Sequence, residues 1–137
     1  MKKILATNYS AAGLNLATLL LRLGFGILMI PHGYSKLTGF NEIAPHFVNF
    51  MGIGQSVSLG LDIFAEFFCS ILLAFGLFTR LALIPLIITA LVIVFIGHDA
   101  DIFGKGETGT LFLTAYLALM ITGPGKYSMD AAISRRK

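Results

Sequence analysis

Residues 57–97 read VSLGLDIFAEFFCSILLAFGLFTRLALIPLIITALVIVFIG. Two apolar runs make up this stretch, about Val57–Phe78 and Leu81–Gly97, and its only charges are Asp62, Glu66 and Arg80. A helix needs about 20 mostly apolar residues to cross the roughly 30 Å hydrocarbon core, and each run comes close. The join, Gly76–Arg80, has room only for a tight turn, so the two spans are antiparallel neighbours. Working outward, Leu14 to about Pro31 is a third apolar run with one charge, Arg22, and about Thr108–Thr122 is a short, neutral fourth. In 137 residues, 56% apolar and 12% charged, four such segments leave no material for a soluble shell. The predicted fold is therefore an all-α membrane protein. One domain over residues 1–137 holds four transmembrane helices in an antiparallel bundle, with spans at about 14–31, 57–78, 81–97 and 108–122.

Charge then orients the bundle. Positively charged loops stay in the cytoplasm. With both termini inside, the inner face receives Lys2, Lys3, Arg80, Lys126, Arg135, Arg136 and Lys137, the outer face receives Lys36 and Lys105, and Arg22 stays in the bilayer. Both termini are expected to be cytoplasmic, in a bacterial inner membrane. Lys2 and Lys3 before an apolar run resemble a signal peptide, but Asn8, Tyr9 and Ser10 intervene and Arg22 would fall inside its apolar core, so the run reads as a retained span. The net charge of +3 comes from basic residues too few and too scattered to follow a phosphate backbone, which excludes a nucleic-acid partner. Cys69 is the single cysteine, so no internal disulfide and no Cys-x-x-Cys pair can form. Between Gly33 and Ser56, the residues Phe40, Ile43, Phe47, Phe50 and Met51 recur at helical spacing, predicting a short amphipathic helix that lies in the outer interface or caps the bundle, with an irregular loop carrying scattered aromatics as the alternative.

Arg22, Asp62 and Glu66 are the ionisable residues inside the spans. An ionised side chain at the bilayer centre costs at least about 2.5 kcal/mol, so it turns inward and finds a partner. Arg22 lies nine residues below Pro31 and Glu66 nine below Val57, which puts both about 13 Å beneath the outer surface. Equal depth on neighbouring spans predicts an Arg22–Glu66 ion pair. Asp62 and Glu66 share one helical stripe with Cys69, Leu73 and Gly76. Arg22 shares its stripe with Gly26, Met29 and Gly33, and with Lys36 if the helix survives Pro31, where a kink or an end is expected. Such a pair can simply fix helix register. It can also relay protons or anchor a ligand headgroup, and the second acid, which register alone does not need, keeps that reading open.

Other polar residues carry weaker signals. His32 and His98 fall at outer span ends, where they are expected to be interfacial rather than haem ligands, and His46 is expected to face headgroups. Asp99 and Asp101 beside His98 read as a solvated loop, and no metal site is predicted. Cys69 reads as a small buried apolar residue, Thr79-Arg80 as a helix start, and Thr110 with Thr114 as interhelical hydrogen-bonding residues.

Several of these residues also form a pattern. The first span reads Arg22-Leu-Gly-Phe-Gly-Ile-Leu-Met-Ile-Pro-His-Gly-Tyr-Ser-Lys36-Leu. The second carries Glu66 and then Ala74-Phe-Gly-Leu-Phe-Thr-Arg80, and the chain closes on Gly123-Pro-Gly-Lys-Tyr-Ser-Met-Asp130. Together these resemble the DoxX family of small bacterial membrane proteins. The resemblance implies a four-helix bundle and a quinone-linked oxidoreductase subunit, after family names that refer to quinol oxidase and thiosulfate:quinone oxidoreductase subunits. It makes Arg22, Lys36 and Glu66 the family-like polar residues. The candidate ligand-binding or proton-relay set is therefore Arg22, His32, Lys36, Asp62 and Glu66, with quinone as the candidate cofactor. No electron carrier is visible in the sequence, so electrons would come from a partner subunit of a membrane complex, and self-association is the other expected partnership. The competing reading is a non-catalytic scaffold, assembly or small-molecule-binding subunit.

Overall fold

A computed structural model describes residues 4–136, all helix, turn and coil with no strand among them. Lys2, Lys3 and Lys137, used above to orient the chain, lie outside the described residues. The order is α1 (Ala11–Thr38), α2 (Phe40–Ile43), α3 (Gln55–Phe75), α4 (Thr79–Gly97), α5 (Glu107–Thr122) and α6 (Met129–Ser134). By length and composition α1, α3 and α4 are each long and apolar enough to cross a membrane, and α5 is a shorter apolar helix. Their outer faces are greasy: Leu20 and Leu28 are each 61% exposed, Leu81 65% and Ile121 81%. That surface suits lipid as solvent and would be intolerable in water.

Association of helices in lipid depends on close packing rather than on hiding apolar surface. Accordingly, α1 lies along α3, and α4 packs on both α3 and α5. Gly33 fixes the first contact: a Cβ there would stand 2.5 Å from the Phe67 amide nitrogen and 2.7 Å from the Glu66 carbonyl carbon. Gly26, two turns below, meets Ser70 and Ala74 in the same way. A core of Met29, Cys69, Leu73, Leu83, Leu86, Phe112, Tyr116 and Leu119 fills the space between helices.

Three expectations change here. Of the kink or end expected at Pro31, the end does not occur: α1 runs on to Thr38 with the proline inside it. Proline removes one backbone donor, but a membrane helix tolerates this where packing holds the segment in place, and beyond Pro31 the close Gly33 contact does so. The region 33–56 does not form one amphipathic helix either. After α1 come the single turn α2, a 3₁₀ turn at Ala44–His46 and another at Phe50–Gly52. Pro45 opens the first 3₁₀ turn, and Met51 adopts φ 51°, which no regular helix accommodates. The apolar periodicity still has a use up to Phe47: Phe40, Ile43 and Phe47 pack on Leu59 and Ile63. Met51, beyond it, is 84% exposed. Thr110 and Thr114 also differ from expectation, because each hydroxyl donates to the carbonyl four residues back in its own helix.

Candidate functional site

The polar residues of α1 and α3 separate into two groups, one at each end of the α1–α3 seam. In the group at the C-terminal end of α1, Lys36, not Arg22, meets both acids. Its Nζ is 2.5 Å from Asp62 Oδ2 and 2.7 Å from Glu66 Oε2. Both carboxyl residues are buried, and the Lys36 side chain is 21% exposed. The Asp62 contact has hydrogen-bond geometry. The Glu66 contact is an ion pair of similar length, so the two acids share one ammonium. Glu66 sits in a π-helical stretch, Phe64–Cys69, within α3; such wide turns occur frequently at functional sites. Phe47 closes the group from the loop, with Nζ 5.8 Å from its ring centroid.

Arg22 belongs to the other group. It is fully buried, and its two terminal nitrogens donate to the carbonyl oxygens of Ala74, at 3.3 Å, and Tyr127, at 2.5 Å. The expected Arg22–Glu66 pair is therefore absent, and the cause is register. Facing positions run 22 with 74, 26 with 70 and 74, 33 with 66 and 67, and 36 with 62. The depth estimate took Pro31 as the outer end of α1. The helix runs seven residues past Pro31, and with Gly33 facing Glu66, Arg22 lies eleven residues away along α1, about 16 Å from the level of Glu66.

Around Arg22 the chain closes on itself. Gly125 has φ 77° and approaches the Thr18 side chain, Lys126 N donates to Asn15 Oδ1 at 2.8 Å, and Asp130 accepts from the amides of Phe78 and Thr79. The stretch Gly123–Asp130 thus pins the starts of α1 and α4 and the end of α3 together. Its motif had been read only as part of a resemblance; the geometry makes it a clasp.

An apolar cavity of about 500 Å³ opens beside the Lys36 group, between α3, α4 and the loop that follows α2. Lys36 and Asp62 line it at one side, with Phe47, Phe50 and Phe64 among its aromatic walls. Pockets of about 300–1,000 Å³ with greasy walls and a few convergent polar groups are the usual form of small-molecule sites. His98 also lines it, whereas His32 is exposed and meets the Phe112 ring edge-on at 6.1 Å. His46 is exposed on the loop, and Asp101 accepts from the Lys105 amide within its own loop. Cys69 is buried in the core. No group of three or more His, Cys, Asp or Glu side chains among the described residues is placed to hold a metal ion. Tyr116 was not singled out in the sequence. Its ring is fully buried and its hydroxyl lacks a hydrogen-bond partner.

Residues 17–99 match the family model described as DoxX. The inner membrane protein YqjF of Escherichia coli K12 is 28% identical over 128 residues, covering 89% of this chain and 95% of that protein. A Mycobacterium tuberculosis protein bearing the name Uncharacterized membrane protein Rv3486 is 27% identical over 131 residues, covering 85% of this chain and 80% of that protein. No solved structure matches the chain.

Proposed function

The chain belongs to the DoxX family, and from that premise we propose that it is a small-molecule-binding subunit of an inner-membrane complex. Its ligand is an amphiphile seated in the cavity beside Lys36 and Asp62, and a quinone is the candidate that the family resemblance offers. Residues 1–137 act as one domain, with α1, α3, α4 and α5 crossing the membrane as an antiparallel bundle. Both termini lie in the cytoplasm. In support, Arg80, Lys126 and Arg135 gather at the clasp end: Gly123 packs beside the Arg80 guanidinium, and Arg135 Nη2 donates to the Lys126 carbonyl. Membrane proteins keep such an excess of positive charge on the cytoplasmic side.

The observation that carries this reading is the ion-paired Lys36 and Asp62 forming one wall of an otherwise greasy cavity. A neutral headgroup needs one donor and one acceptor there, and Lys36 and Asp62 offer both. Glu66, just behind them, could exchange a proton with Asp62 through the shared ammonium. Electrons for any reduction would come from a partner subunit. Arg22 has no part in this site: it is bound to carbonyls at the clasp.

The test is quinone retention. Protein extracted with its native lipid should carry about one quinone per chain, and the Lys36→Met, Asp62→Asn double variant should fall to the level of protein-free lipid. Equal quinone in both preparations, or none in the parent, would leave the ion pairs with register-fixing alone.

A further inference from the structure

The polar wall of the cavity holds two acids and one base, and this bears on the head that a ligand can bring into it. Asp62, which lines the cavity, and Glu66 behind it share one ammonium, Lys36. Arg22 does not help, being bound to the carbonyls of Ala74 and Tyr127. His98, just past the end of α4, Tyr116 on α5 and Cys69 on α3 bring no carboxylate and no permanent positive charge. Glu66 Oε2, 2.7 Å from Nζ, has to share that ammonium with Asp62. Uncompensated charge out of water is costly, so this place favours an arriving positive charge and opposes a negative one.

The walls point the same way. Lys36 Nζ already stands 5.8 Å from the Phe47 ring centroid, and Phe50 and Phe64 line the same cavity. Aromatic faces attract organic cations once water is excluded. Lys36 is a tethered cation at the end of a flexible stem, 21% exposed, so it can yield its place to a second one.

We propose that the cavity between α3 and α4 accepts amphiphiles with a cationic head, of the organic ammonium or phosphonium class, and rejects their anionic counterparts, with Asp62 and Glu66 as the counter-charge. This rests on the cavity being an amphiphile site, as proposed above, and adds the sign of the charge it selects. No bond forms or breaks. The ligand's positive charge replaces or joins that of Lys36.

Two probes of equal shape and opposite charge test it: tetraphenylphosphonium and tetraphenylborate, titrated into the full chain in nanodiscs of uncharged phosphatidylcholine, with empty discs subtracted. The phosphonium is expected to bind saturably and at least about tenfold more tightly than the borate. Asp62→Asn should abolish the difference, and Lys36→Met, which removes the resident cation, should tighten phosphonium binding. Borate binding as tight as phosphonium, or phosphonium binding untouched by Asp62→Asn, would overturn the proposal. The parent-protein comparison of the two probes stands even if a variant fails to fold. A neutral quinone titrated into the same discs separates the two readings. Saturable quinone binding without phosphonium binding would sink only the charge selectivity, whereas no binding of either would sink both.

Discussion

Lys36 and Arg22 lie on one stripe of α1, about four turns apart, and they are held in opposite ways. Lys36 meets two carboxylates beside a cavity and stays partly exposed. Arg22 is sealed and meets only backbone carbonyls from two other parts of the chain. A guanidinium has five donors in a fixed fork, suited to tying carbonyls together, whereas an ammonium is a compact point charge that can change partners. The same helix thus carries a permanent knot at one end and an exchangeable ion pair at the other. Placing a cation at membrane depth does not by itself say which it will be; the neighbouring register does.

The largest effect should come from the knot. Arg22→Met removes two charge-assisted hydrogen bonds and leaves the carbonyls of Ala74 and Tyr127 unpaired, a loss of about 3–5 kcal/mol in detergent unfolding. Adding Glu66→Leu should not restore any of it, because the two residues do not touch. Their effects should add to within about 0.5 kcal/mol. A strong rescue would reinstate the Arg22–Glu66 pair and dissolve the distinction between the two ends. Lys36→Met comes next, at about 2–3 kcal/mol, since it strands two buried carboxyl groups that can lessen the penalty by taking up protons. Here the neutral pair Asp62→Asn, Glu66→Gln should recover most of the loss. Recovery of less than half would mean that Lys36 acts chiefly through the packing of its stem, and that its end is as fixed as the other.

How far these two ends could be read from sequence differs for a physical reason. The apolar runs, the α3–α4 turn, the shared stripe of Asp62 and Glu66 and the stripe joining Arg22, Gly26, Gly33 and Lys36 all follow from local composition and helical period. Which cation meets which acid is a question of register between two helices, and composition is silent on that. Pro31 suggested an early helix end, and the register taken from it was off by about three turns. The better indicator was the pair Gly26 and Gly33, the residues that touch α3 most closely. Aligning them with the small residues of α3 would have carried Lys36, rather than Arg22, to the acids. The clasp was less legible still, since its hydrogen bonds run mainly to and from the backbone: Gly125, Tyr127 and Asp130 act through turn geometry, a carbonyl and a remote cap.

That remote cap gives the smallest and most selective test. α4 begins after Phe78, a non-glycine residue at φ 48°, and no side chain of its own caps it. Asp130 does so from the far end of the chain: Oδ1 accepts from the Phe78 amide at 2.8 Å and Oδ2 from the Thr79 amide at 2.9 Å. Its own amide donates to the Gly76 carbonyl. Asp130→Ala should cost about 1–2 kcal/mol, the usual worth of an N-cap, and speed hydrogen exchange at the Phe78 and Thr79 amides. Asp130→Asn, which keeps one acceptor, should cost less. Quinone retention should be unchanged in either variant, because Asp130 lies at the clasp and the cavity at the opposite end of the same helices. If retention falls in step with stability, the knot and the exchangeable pair are mechanically one unit, and the helices between them transmit what happens at either end.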